Sequence, residues 1–273
     1  MVYNLLADRV APEHLNSGRL PQHLSLRTNW GGGLDMSNPK LVKRFQVNEI
    51  GRDFAVGDIH GHFTALQSAL DEIGFNPECD RLFSVGDLID RGPECEMVLD
   101  WLDKSWFHPV RGNHDDYVCR YDTCEIGNWM QNGGAWFRSL TDFEQGEYAA
   151  QFRELPIAIE VFTESGLVGL AHADCPFNSW GELTNALDGG CIGSDLRNIK
   201  NYCMWSRGRI ENDNHCGVNG VLALVVGHTP LKAPAVLGNV VHIDTAGWHK
   251  ASGGYFTIID LGCIGDMVDQ GDQ

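Results

Sequence analysis

Long apolar runs are absent from this sequence. The longest, Val221–Val226, falls far short of the about 18 residues needed to span a bilayer, so no membrane partner is expected. Positive charge is scarce: 20 Lys and Arg stand against 37 Asp and Glu, a formal net charge of −17. A surface this negative repels a phosphate backbone, which argues against sequence-independent nucleic-acid binding. The first residues, MVYNLLADRV, carry neither a basic start nor a continuous apolar stretch, so no secretory leader is expected. The nine cysteines include no C-x-x-C pair and read as reduced thiols in a cytoplasmic setting, nearly all of them small buried hydrophobes. No P-loop and no dinucleotide fingerprint occurs. A cysteine-phosphatase loop, His-Cys-x5-Arg, fails at its last position, because Leu222 stands six residues after Cys216. The 32 glycines follow no three-residue period, which excludes a collagen-like chain and points to many tight loops.

What is present is a 273-residue chain with 43% hydrophobic residues, enough for a packed core. Residues 1–42, with Pro12, Pro21, Gly31-Gly32-Gly33 and Pro39, read as a loose N-terminal extension, and 43–273 as one domain. In that domain short apolar runs alternate with helical patterns, the signature of an α/β fold. Strands are predicted at Asp53–Val56, Arg81–Val85, Phe107–Val110, Ile157–Phe162, Leu167–Ala171, Val221–Val226, Val240–Ile243 and Tyr255–Ile259. Helical faces are predicted for Phe63, Leu66, Leu70 and Ile73, and for Met97, Val98 and Trp101. Residues 174–219 read as a glycine- and charge-rich, loop-rich insertion that shapes the entrance to a site.

The polar residues just past these strands carry the chemistry. Five strands end in Asp, Asn or His beside a small residue, delivering Asp58, His60, Asp87, Asn113, His172 and His228 to the carboxyl edge, where open α/β sheets bind ligands. All six side chains are oxygen or nitrogen donors and none is a thiol, which argues against structural zinc. Six such donors suit two divalent ions if one carboxylate bridges. Only Asp58 and Asp87 among them are anionic, so two ions would leave a positive pocket inside a negative protein. His242, also on a predicted strand, reads as a satisfied core or edge histidine. Trp101, Trp106, Trp129 and Trp136 read as core rather than as a stacking platform.

Taken in order, Gly57-Asp58-Ile59-His60-Gly61, Gly86-Asp87-Leu88-Ile89-Asp90-Arg91-Gly92, Gly112-Asn113-His114-Asp115, His172-Ala173-Asp174-Cys175-Pro176-Phe177 and Gly227-His228-Thr229-Pro230 resemble the motif series of metallophosphoesterases. The Asp90-Arg91-Gly92 form resembles the serine/threonine protein phosphatase branch, in particular the group of the bacteriophage lambda phosphatase and its bacterial relatives. Asn132-Gly133-Gly134-Ala135-Trp136 and Trp205-Ser206-Arg207-Gly208-Arg209-Ile210 are similar to segments of the same group, and the likeness runs from about 43 to about 262. The resemblance implies a sandwich of two mixed β-sheets flanked by α-helices. It implies Asp58 and His60 on one ion, Asp87 between both, and Asn113, His172 and His228 on the second. It further implies Arg91 and Arg207, with Asn113, on the substrate phosphate, and His114 with Asp90 as an acid dyad.

The activity so implied is hydrolysis of phosphomonoesters on protein or peptide substrates, through metal-activated hydroxide and in-line attack. Phosphoserine and phosphothreonine are the expected groups, with phosphotyrosine or phosphohistidine as further candidates. Manganese is the expected ion, iron, zinc, nickel or cobalt being the alternatives. Asp115, where the family more often has Glu, and His62, where lambda-like proteins often carry Cys, are departures outside the ligand set. A phosphodiesterase of the superfamily would commonly show Gly-His-x-His, and Pro230 takes the place of that second His. A dinucleoside-tetraphosphate hydrolase tends to lack Asp-Arg-Gly, and an inactive scaffold would be expected to have lost a ligand or the acid.

Overall fold

A computed structural model of the chain describes residues 39–271. The extension expected over 1–42 therefore lies outside the described residues except for its last four. Those last residues already belong to the domain: Val42 is buried and opens a strand, and the Leu41 carbonyl accepts the N–H groups of Ile157 and Ala158.

Among the described residues ten strands run in chain order: β1 (Val42–Phe45), β2 (Asp53–Val56), β3 (Arg81–Ser84), β4 (Phe107–Pro109), β5 (Ala158–Thr163), β6 (Gly166–Ala171), β7 (Ala223–Val226), β8 (Ala235–Leu237), β9 (Val240–His242) and β10 (Ile258–Asp260). Nine α-helices interleave with them: α1 (Phe63–Glu72), α2 (Val98–Leu102), α3 (Asn113–Cys119), α4 (Ile126–Gln131), α5 (Asp142–Arg153), α6 (Trp180–Asn185), α7 (Gly193–Trp205), α8 (Gly208–Glu211) and α9 (Ile264–Gly271). One sheet has the order β1-β5-β6-β7-β9-β8 and the other β10-β2-β3-β4. Both are mixed: β2, β3 and β4 are parallel with β10 antiparallel, while β5 is antiparallel to β6 and β8 to β9 in the larger sheet.

Strand alternation explains the layering. In β2, Phe54 and Val56 point to the helices α1 to α5, whereas Ala55 points between the sheets. In β7, Ala223 and Val225 face the inter-sheet core, and Leu224 and Val226 face the outer layer formed with α6 and α7. Strands buried on both faces need apolar residues at every position, which is why they read as unbroken runs. The result is four layers, helix–sheet–sheet–helix.

Several expectations need correction. Residues 174–219 are mainly helical, not loop-rich: α6, α7 and α8 occupy much of the segment, and Leu196, Ile199, Cys203 and Met204 of α7 pack on the outer core. Strands β1 and β8 were not anticipated; β1 is four residues of which Lys43 and Arg44 are exposed, and β8 pairs with β9 across Gly238-Asn239. Ile73 follows the last turn of α1 and Met97 sits in a 3-10 turn, each 37% exposed, so neither completes its helical face. Of the nine cysteines, Cys95, Cys119, Cys175 and Cys203 are buried, while Cys216 and Cys263 are exposed, and none is paired. No described helix is long and apolar enough to cross a membrane.

His242 is buried as expected but is not satisfied: neither ring nitrogen has a partner among the described residues. Burial, with Arg209 nearby, pushes its imidazole down to about 4. Burial, with Lys43 and Arg81, does the same to His108, also to about 4. Because both folded values lie below the ordinary 6.5, the unfolded chain binds more protons at intermediate pH. Their contribution is therefore intact above about pH 6.5 and lost as pH falls toward 4. Urea unfolding at pH 7 and pH 4.5 should show the loss, and His242→Leu should reduce it by on the order of 2 kcal/mol. A variant with the same pH dependence as the parent would show that His242 does not titrate on unfolding.

Candidate metal centre

The carboxyl ends of β2, β3, β4, β6, β7 and β9 meet at one end of the sandwich. The segments leaving the first five supply Asp58 and His60, Asp87 with Asp90 and Arg91, Asn113 with His114, His172, and His228 in turn. Apart from Arg91 and Arg207, every side chain predicted for the site is buried. Two histidine pairs flank Asp87: His60 and His114 lie on one side, and His172 and His228 on the other. The Asp87 Oδ2 is 3.5 Å from His60 Nε2 and 3.9 Å from His114 Nε2, and its Oδ1 is 3.4 Å from His172 Nε2. Asn113 Oδ1 reaches His172 Nε2 at 2.9 Å, and Asp58 Oδ2 lies 4.0 Å from His60 Nε2.

The backbone is bent to achieve this. His60, Asp87, Asp90, Arg91 and His228 all have positive φ, between 45° and 70°, a region that costs a non-glycine residue about 1–3 kcal/mol. The hydrogen-bonding that holds them there is local. The Asp115 carboxylate accepts the N–H groups of Asp87, Leu88 and Gly112, binding the β3 loop to the β4 loop. The Asp87 carbonyl accepts from Ile59 and His60, which adds the β2 loop. Gly112 has no room for a side chain, because a Cβ there would strike the Asp87 carboxylate, and Gly227 bears on Asp58 in the same way.

Ring orientation is fixed from behind. His60 Nδ1 donates to the Ile89 carbonyl and His172 Nδ1 to that of Val85, so each Nε2 faces the cleft. His114 Nδ1 meets Asp90 Oδ2 at 2.7 Å, which likewise turns its Nε2 inward. Arg91 spans the mouth, with one guanidinium nitrogen 2.7 Å from His60 Nε2 and the other 3.2 Å from His114 Nε2. Arg207 is exposed and close enough for its charge to act on His228. Arg209, by contrast, is buried against Asp174 at 2.9 Å and donates to the Asn214 and Cys216 carbonyls, so it is already engaged.

Sequence reasoning missed four contributors. Asp244 lies just past β9 much as Asp87 lies just past β3, and its buried Oδ2 has no partner among the described residues. Burial raises both Asp58 and Asp244, with Asp244 adding to the shift of Asp58. Asp244 thus adds an acidic side chain beside Asp58 and Asp87, the two anionic members of the six-donor set. Trp129 and Trp136 are core residues by packing, yet both indole N–H groups point at Asp90, at 2.8 and 2.7 Å. Trp248 lies under Arg91, whose guanidinium carbon is 4.4 Å from the ring centroid. The signal for Asp244 was available in the strand-end rule; nothing in spacing marked the tryptophans.

The donor set fits divalent cations. His228 Nε2 is buried without a partner among the described residues, and burial with His172 beside it pushes that imidazole down to about 3, leaving its lone pair free. Burial likewise carries His60 well below the ordinary range. For His172 burial acts the other way from Asp87 and Asp58, which prevail and lift it to about 9, so a cation at its Nε2 must displace a proton. Buried carboxylates beside neutral imidazoles are a set that divalent ions neutralise.

The Asp90 carboxylate accepts from His114 and two indoles, so an amide in its place must turn its NH2 toward one donor. Asp90→Asn should lose about 1–3 kcal/mol of unfolding stability, and Trp136→Phe, at a half-buried position, less. Urea titration checks both, and an Asp90→Asn variant as stable as the parent would remove the three-donor arrangement.

Comparison with known proteins agrees with this geometry. Residues 54–232 match the family model described as calcineurin-like phosphoesterase. The chain is 33% identical over 199 residues to serine/threonine-protein phosphatase 2 of Escherichia coli K12, covering 70% of this chain and 86% of that protein. It is 34% identical over 214 residues to serine/threonine-protein phosphatase 1 of Salmonella typhimurium, covering 77% and 93%. A bis(5'-nucleosyl)-tetraphosphatase of Halalkalibacterium halodurans matches at 27%, covering 70% and 83%. Among solved structures, a putative diadenosine tetraphosphatase superposes with a TM-score of 0.52 at 18% identity, covering 81% of this chain and 98% of that one, which speaks to the fold alone. The chain belongs to the calcineurin-like metallophosphoesterase family.

Proposed function

We propose that this chain is a metal-dependent phosphomonoesterase acting on phosphorylated proteins, with phosphoserine and phosphothreonine as its principal substrates. The observation that carries the reading is Asp87 lying between two histidine pairs, with an arginine and a carboxylate-backed histidine at the same cleft. The phosphatase relatives support the protein substrate, at higher identity than the tetraphosphatases.

Asp58 and His60 would hold one ion, Asp87 would touch both, and Asn113, His172 and His228 would hold the second. Bound divalent ions supply Lewis-acid activation of water at neutral pH and neutralise phosphoryl charge. Manganese suits a mixed carboxylate, amide and imidazole set better than a thiol-loving ion would. Arg91 and Arg207 bind the phosphoryl oxygens through paired N–H donors, a geometry lysine cannot match. Asn113 lies beside them at the same edge. His114 gives its Nε2 proton to the departing alkoxide, and Asp90 keeps the ring turned so that Nε2 faces that oxygen.

A second reading, hydrolysis of dinucleoside polyphosphates, is favoured only by the tetraphosphatase relatives. Turnover of p-nitrophenyl phosphate, phosphoserine peptides, bis-nitrophenyl phosphate and diadenosine tetraphosphate, each with and without manganese, separates the two. The proposal expects the first two to be cleaved only with metal, and preferential cleavage of diadenosine tetraphosphate would reject it.

Leaving-group dependence tests the acid. A general acid contributes roughly 10²–10⁴-fold when the leaving group is strongly basic. His114→Asn should keep its metal and fall much further on phosphoserine peptides than on p-nitrophenyl phosphate; an equal fall, with chemistry limiting both, would take His114 out of that role. The two arginines should separate as well. Arg207→Ala is expected to fold normally and lose about 2–4 kcal/mol of transition-state stabilisation. Arg209→Ala strands the buried Asp174 and should cost about 3–5 kcal/mol of stability. Kinetics and urea unfolding on the pair read out both, and full efficiency in Arg207→Ala would exclude it from phosphate binding.

A further inference from the structure

Positive charge is rare in this protein, yet it gathers in one place away from the catalytic cleft. A cavity of about 590 Å³ opens between the segment at Lys40, the start of α3 and the α6–α7 connection. Its wall carries Lys40, Arg111, Lys200 and Arg153, the last donating to the Cys119 carbonyl, and an apolar side formed by Leu187, Ile192 and Leu196. Among the described residues Asp188 is the single acidic one in that wall, and it is already bound by Arg44 at 2.6 Å. Neither Lys40 nor Lys200 has a carboxylate within salt-bridge distance among the described residues. Arg111 is 4% exposed; its terminal nitrogens reach the Arg153 and Leu155 carbonyls and Asp116, but its Nε has no partner among the described residues.

Such a grouping is costly unless something answers it. Lys200 is half-buried, and its ammonium shares the cavity with a buried guanidinium. Like charges brought together out of water repel, and burial followed by Arg111 lowers the Lys200 ammonium from its ordinary value. Asp116 meets Arg111 at 3.7 Å and Asp188 is taken up by Arg44, which leaves Lys40, Arg153 and Lys200 without a carboxylate partner among the described residues. Ile192, at 80% exposed, adds an apolar lip that a hydrated inorganic ion would leave uncovered. The volume is in the range of small-molecule sites, about 300–1,000 Å³.

We propose that this cavity is a binding site for an amphiphilic organic anion, its charge held by Lys40, Arg111 and Lys200 and its apolar part laid against Leu187, Ile192 and Leu196. None of its wall residues belongs to the Asp87 cleft, so the two sites are separate.

Titration of the full chain with 8-anilinonaphthalene-1-sulfonate, followed by fluorescence, tests this directly. Saturable binding is expected, weakened roughly tenfold in the Lys40→Glu, Lys200→Glu double variant. Lys40→Glu alone, on the exposed rim, should weaken it by about threefold and keeps the test independent of packing around Lys200. Hydrolysis of p-nitrophenyl phosphate at the parental rate verifies that both variants are folded. Lys250→Glu, the same charge change at an exposed remote position, and Asp87→Asn, in the catalytic cleft, should leave the dye affinity unchanged. No saturable binding, equal affinity in the double variant, or loss of binding in Asp87→Asn would each overturn the proposal.

Discussion

Two strand-end loops are clasped by one carboxylate, and a third hangs on them. Asp115, wholly buried in the first turn of α3, accepts backbone N–H groups from Asp87, Leu88 and Gly112. Its contacts tie the β3 and β4 loops together, beside the His114–Asp90 contact and the His114 N–H donated to the Asp87 carboxylate, and oppose the cost of the left-handed bend at Asp87. Burial and the nearby Asp87 push the Asp115 carboxyl up to about 7, so the protein sustains an acid in surroundings that resist its charge.

Around this anchor the cleft repeats one device. His60, His114 and His172 are each held by Nδ1, through Ile89, Asp90 and Val85 in turn, and offer Nε2. Asp90 is itself held by two indoles, so the chain of constraint runs from a packed aromatic core to the His114 ring. Five of the cleft's residues have left-handed backbone, and local strain of this kind is compatible with a stable domain because two sheets and two helical layers fix the loop ends.

Much of the cleft was legible in the sequence because its chemistry sits on short segments directly after strands, where residue type and order both carry information. Asp58, His60, Asp87, Asn113, His172 and His228 are read that way. Trp129 and Trp136 were not, because an indole that packs and an indole that packs while donating a hydrogen bond have the same spacing. Asp244 was passed over although it ends a predicted strand, since no neighbouring glycine marked it. The helices of 174–219 were hidden by glycines at their ends, where Gly189 and Gly193 adopt positive φ, and by charge spread over their outer faces. Strand β1 was hidden by being an edge, since only Val42 of its four residues is buried. His242 was rightly placed inside, but burial from sequence says nothing about whether a partner waits there.

The two sheets touch through the cleft as well as through the apolar layer between them. His172, from the larger sheet, is bonded to the Val85 carbonyl of the smaller one, and the N–H of His228 to the carboxylate of Asp58. Ligands for each proposed ion, or the groups that orient them, thus come from opposite halves of the sandwich. The proposed reaction centre is therefore also a seam, and any cation seated there is a rivet across it. Stripping such a cation would do more than silence the enzyme: it would let the sheets part at one edge, making the open cleft the place where melting begins.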